Sequence, residues 1–75
     1  MIPQLMRAAT QDGTVVHWQN ALMGHLGQSG TYEFETEQQA AEFAAYAGQD
    51  NPPSLADDDL EPLGLVPKKR MELAL

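Results

Sequence analysis

Thr31-Tyr32-Glu33-Phe34-Glu35, running directly into Thr36-Glu37-Gln38-Gln39-Ala40-Ala41-Glu42-Phe43-Ala44-Ala45-Tyr46-Ala47-Gly48, is the stretch that decides the fold. Its first five residues alternate with period two, which predicts a strand over 31–35. Tyr32 and Phe34 then face inward, and Glu33 and Glu35 face outward. From Thr36 the period changes. Thr36 is an N-cap with Gln39 three residues on, the spacing of a capping box. Glu37 falls in the first turn, where the helix dipole favours an anion. The alanine-rich run after it has high helix propensity, and Gly48 is the expected stop. The spacing predicts a helix over 37–47. Ala40, Phe43, Ala44 and Ala47 form an i, i+3, i+4, i+7 stripe that can sit closely on a sheet, with Phe43 as its largest knob.

On the N-terminal side, residues 4–20 read as a β-hairpin. Asp12-Gly13 is a turn dipeptide, and Thr14-Val15-Val16-His17-Trp18 is β-branched and aromatic. A turn centred on Asp12-Gly13 pairs Ala9 with Val16 and Arg7 with Trp18. Leu5, Ala9, Val16 and Trp18 then share the core face, with the Arg7 guanidinium over the indole. Met6, Thr10, Val15 and His17 share the other. Residues 20–30, with Gly24, Gly27 and Gly30, read as the end of the second strand followed by a glycine-rich loop. On the C-terminal side, residues 49–67 form a connection punctuated by Pro52, Pro53, Pro62 and Pro67. Ser54 and Asp57 start a short helical turn reaching Leu60. Leu55, Leu60, Leu63, Leu65 and Val66 are expected to pin this connection to the core. A last strand spans about 70–75, with Met71, Leu73 and Leu75 on one face. The order is β-β-β-α-β: a single α+β domain over 1–75, a small antiparallel sheet with one helix packed on one face.

The chain has 75 residues, no Cys and a net charge of −7. A chain this short buries only about 60% of its unfolded surface, and it has no disulfide to support it. Met1 to Arg7 lacks the apolar core of a signal peptide, no run is long enough for a membrane helix, and the expected location is cytoplasmic. Between Arg7 and Lys68 stand ten Asp or Glu residues and no Lys or Arg: Asp12, Glu33, Glu35, Glu37, Glu42, Asp50, Asp57, Asp58, Asp59 and Glu61. A field of one sign repels nucleic acid and attracts basic surfaces. Lys68-Lys69-Arg70 is the sole basic cluster and reads as a counterweight to the acids or as protection of a sheet edge.

No catalytic set emerges, so the reading is not an enzyme. Ser29 is assigned to a Gly27–Gly30 turn and Ser54 to a turn cap, with no nucleophile elbow. His17 reads as a strand residue, and His25 lies eight residues away, which is no standard ligand spacing. Asp57-Asp58-Asp59 with Glu61 lacks the alternation and central Gly of a calcium loop. No metal or cofactor is expected. The candidate partner-binding residues are Glu33, Glu35, Glu37 and Glu42 at the strand–helix junction, with Asp57, Asp58, Asp59 and Glu61 in the proline-bounded connection. Tyr46, Leu26 and Leu63 to Leu65 are candidate apolar anchors.

In length, in its acidic blocks Glu33-Glu35-Glu37-Glu42 and Asp57-Asp58-Asp59-Glu61, and in lacking a catalytic constellation, the chain resembles the small acidic inhibitors of bacteriophages and mobile elements, the anti-CRISPR proteins among them. The resemblance implies an inhibitor acting inside a bacterial cell. Its partner would be a basic, DNA-contacting surface of a Cascade-type CRISPR effector, and its carboxylates would stand where DNA phosphates dock. Two other readings share the composition: another acidic regulator (an antitoxin, or an inhibitor of RNA polymerase, restriction or repair), and a non-catalytic homodimer that buries an open sheet edge.

Overall fold

The computed structural model describes residues 5–22, 25–49 and 53–74. Strands β1 (Leu5–Asp12), β2 (Val15–Leu22), β3 (His25–Glu33) and β4 (Lys69–Ala74) form one antiparallel sheet in the order β1-β2-β3-β4. Helix α1 (Glu37–Ala47) follows β3, and a one-turn helix α2 (Asp57–Leu60) runs into a 3₁₀ turn, Glu61–Leu63. The α+β architecture and the bounds of α1 are as the periodicity predicts.

The β1–β2 hairpin turns one residue later than expected. Gly13 and Thr14 are the two loop residues, and Asp12 pairs with Val15. Gly13 has φ +65 and takes the first loop position, where a left-handed residue is needed. Ala9 therefore faces Trp18 and Arg7 faces Asn20, rather than Val16 and Trp18. The slide is two residues, an even number, so each described side chain keeps its predicted face; that of Leu5 lies outside the described residues.

Residues 25–30 are strand, not loop. Gln19 pairs with Ser29 and Ala21 with Leu26, so β3 carries one extra residue opposite Asn20. This is a bulge, where glycine is common. Gly27 lies against Asn20, and Gly30 lies beneath Trp18. A Cβ on Gly30 would stand 2.7 Å from the indole carbons. These glycines mark a bulge and a close approach, which is why the sequence pattern resembles a loop. The strand expected over 31–35 ends at Glu33, leaving Glu35 in the bend before α1.

One face of the sheet carries the core: Val16, Trp18, Tyr32, Phe34, Ala40, Phe43, Ala47, Leu60 and Leu65. Trp18 meets Tyr32 edge to face at 5.6 Å between centroids. Phe43 meets Tyr32 at 5.4 Å and Phe34 at 4.9 Å. Helix α1 lies over β1 and β2. The Thr36 hydroxyl accepts from the Gln39 N–H at 3.1 Å. The Gln39 side chain does not complete the capping box; its amide donates to the Gly64 carbonyl at 3.3 Å. Gly48 ends the helix at φ −91, outside the left-handed region, with its N–H on the Ala44 carbonyl.

The connection is a second part of the layer that covers the sheet. Leu60 is fully buried and Leu65 nearly so, and Leu55 packs against the same core. Leu63 and Val66, expected to pin it, are instead 51% and 42% exposed. The segment is tied by backbone bonds from Leu65 N–H to the Leu60 carbonyl, 3.1 Å, and from Lys68 N–H to the Glu33 carbonyl, 2.8 Å. The Arg7 Nη1 donates to the Pro53 carbonyl at 2.7 Å. Ser54 does not cap α2, whose N-cap is Ala56; the Ser54 hydroxyl accepts from the Ala56 N–H at 3.2 Å. Met71 lies on the opposite, open face, 69% exposed. Leu26 and Leu73 as side-chain positions, and Leu75, lie outside the described residues, as does Asp50.

Candidate protein-binding surface

The fold distributes the predicted acidic residues over three places. Glu33 points to the open face of the sheet, since its neighbour Tyr32 is buried under the helix layer. It is half-buried and pairs with Lys68, Oε2 to Nζ 3.8 Å. Glu35 and Glu37 lie at the end of the sheet beside the hairpin turn. Gln11 joins them there, its amide donating to the carbonyls of Gly13 and Glu37, both at 2.9 Å. Glu42 stands on the exposed side of α1, and Asp57, Asp58, Asp59 and Glu61 on the exposed side of α2 and the turn after it. Since α1, Leu60 and Leu65 cover the same sheet face, Glu42 and the α2 acids belong to one outer surface, the outside of the helix layer. The four junction acids are therefore not one patch. The aspartates of the connection are part of the short helical turn expected there.

Two ion pairs are present among the described residues: Glu33 with Lys68, and Asp57 with Arg70. The basic cluster thus acts as a counterweight to the acids, as one of its readings held. Glu35, Glu37, Glu42, Asp58, Asp59 and Glu61 are exposed and enter neither pair. Three of the six, Asp58, Asp59 and Glu61, lie within α2 or directly after it. Like charges so close repel one another and gain from an external cation.

A cluster that sequence reasoning only half found lies between the far end of the sheet and Ser54, Leu55 and Ala56. Arg7 and Arg70, from the two edge strands, both reach it. Arg7 donates from Nε to the buried Asn20 Oδ1 at 2.6 Å, and its guanidinium lies 5.5 Å from the Trp18 ring centre. Arg70 lies 5.1 Å from the Tyr32 ring centre. The Tyr32 hydroxyl donates to Glu72. Burial, and then the hydrogen bond to Glu72, push the Tyr32 hydroxyl well above its ordinary pKa. Burial lowers Arg7 from its usual value, an effect opposed by Tyr32 and Tyr46. The Arg7–Trp18 contact was legible in the hairpin; the stacking of Arg70 on Tyr32 was not, because it depends on how β4 pairs with β3.

The face of the sheet away from the helix is uncovered. His17 is exposed there, with Nδ1 3.0 Å from the Thr31 hydroxyl. Ser29, assigned by sequence to a turn, is half-buried on this face. These residues, with Ala8, Thr10 and Met71, line a shallow depression of about 320 Å³. Among the described residues, no three His, Asp or Glu side chains are grouped to hold a metal ion, and no helix is long and apolar enough to cross a membrane. Comparison with protein-family models, curated proteins and solved structures gave no match to this chain.

Proposed function

We propose that the chain is a non-catalytic inhibitor that binds a basic protein surface through the carboxylates on its helix layer. The observation that carries this reading is the set of exposed acids, Glu42, Asp58, Asp59 and Glu61, outside the ion pairs and mounted on ordered elements. A surface built to contact phosphate has Lys and Arg at intervals that such carboxylates can satisfy, and charge complementarity raises on-rate and selectivity. With the resemblance to anti-CRISPR inhibitors, this points to a DNA-contacting surface of a Cascade-type effector. Target DNA would be excluded by competition for the same cations.

The test is binding of the purified chain to such an effector, with and without target DNA, at two salt concentrations. Reversing Glu42, Asp58 and Glu61 to Lys should weaken binding by roughly 10- to 100-fold at low salt and flatten its salt dependence. Glu33→Gln, which alters a residue already paired with Lys68, should change it little. Unchanged binding in the triple variant would refute the charge-based mechanism.

A further inference from the structure

We infer that the open face of the sheet is a homodimer interface, in which two copies pack sheet to sheet about a two-fold axis parallel to the strands. The β pairing places Asp12, Val15, Glu33 and Lys69 in one row across all four strands. Asp12 stands at one edge of that row and Lys69 at the other, both exposed. Rotation about an axis parallel to the strands keeps the row level and exchanges the edges. Each Asp12 then meets the other copy's Lys69, so the contact forms twice. A two-fold axis perpendicular to the strands lays β1 on β1 with the row reversed and makes neither pair.

The charge of this face also sets it apart. The chain as a whole carries −7, so copies repel. On the open face, however, the carboxylates of Asp12 and Glu33 are balanced by the ammonium groups of Lys69 and of Lys68, which pairs with Glu33. The surplus negative charge on Glu42 and the α2 acids lies on the other side of the molecule. The open face also holds Met6 and Met71, 66% and 69% exposed, beside Ala8, Val15 and Ala21. Side chains of two such faces can interdigitate as in a β-sandwich, with strands nearly aligned.

Size decides how tight the dimer is. Four strands about 4.8 Å apart, of six to nine residues each rising about 3.3 Å per residue, present roughly 500 Å². Two faces bury roughly 1,000 Å² in all, the lower limit for a specific interface. The pairing is therefore reversible, and it leaves an acidic helix layer facing outward on each side. It stands independently of the proposed inhibitor function.

Sedimentation equilibrium of the full chain tests this, from about 10 μM to about 1 mM, a range that populates dimers of weak affinity. Asp12→Lys and Lys69→Asp should each weaken dimerisation about tenfold, since each breaks both symmetric pairs. The double exchange should restore it to within about threefold of the parent. Circular dichroism melting of each variant separates loss of dimer from loss of fold. A chain that stays monomeric throughout, or a dimer that both single variants leave unchanged, overturns the inference. A dimer weakened by both single variants but not restored by the exchange overturns the Asp12–Lys69 arrangement on which it rests.

Discussion

Gly30 shows how much one missing atom decides. The Trp18 indole crosses directly over it, and a Cβ there would meet indole carbons 2.7 Å away. Trp18 is itself wedged against Tyr32, so it has little room to yield. Gly30→Ala is expected to cost about 1–3 kcal/mol, the usual range for overpacking, read by urea denaturation. Gly64→Ala is a useful contrast: its cost comes from φ +70, with nothing within 4 Å of the added atom. If Gly30→Ala leaves stability unchanged, the indole does not lie where it is placed. Asn20 makes a related point. It is a buried polar residue whose side-chain oxygen is satisfied by Arg7, as burial of a polar group requires.

At the level of elements, the connection between α1 and β4 follows its sequence reading only in part. Its helical turn and the full burial of Leu60, in one cluster with Phe43 and Tyr32, are as expected, but Leu63 and Val66, expected to pin it as well, are exposed. Leu60→Ala is expected to lose about 2–5 kcal/mol. Leu63→Ala, at a residue 51% exposed, should stay within about 0.5 kcal/mol of the parent. Measuring both by chemical denaturation checks the assignment, and equal losses would place both leucines in the core. The helical period of α1 was enough to find its buried stripe, Ala40, Phe43 and Ala47. No comparable period exists in the connection, where proline stops the backbone repeating, so which leucine turns inward is set by tertiary contact alone.

For the molecule as a whole, the balance is between a small core and a surface of one sign. Eleven acids face four Lys or Arg residues, and two ion pairs are present among the described residues. Self-repulsion should therefore reduce stability at low salt. Between about 0.01 M and 0.1 M salt the screening length falls from about 30 Å to about 10 Å. The melting temperature is expected to rise by roughly 4–8 °C over that change, about 1 kcal/mol for a domain this size. A fall with added salt would mean that attraction, not repulsion, dominates the surface.

The sequence by itself determined the helix, the strand order along the chain and which residues of β1 and β2 face the core, because side-chain period is a local property of the backbone. It also determined the sign of the surface, which is a matter of composition. Only the tertiary structure decided the hairpin register, since a turn one residue later keeps every face intact and leaves no trace in the pattern. It decided that Gly27 and Gly30 belong to a strand, because what they accommodate, Asn20 and Trp18, comes from the neighbouring strand. It decided as well which acids belong together. Glu33 went to the open face beside Lys68, while Glu42 joined Asp58, Asp59 and Glu61 outside the helix layer. Neighbours in sequence were separated there and distant residues combined, because a surface is assembled by packing, and packing is not local.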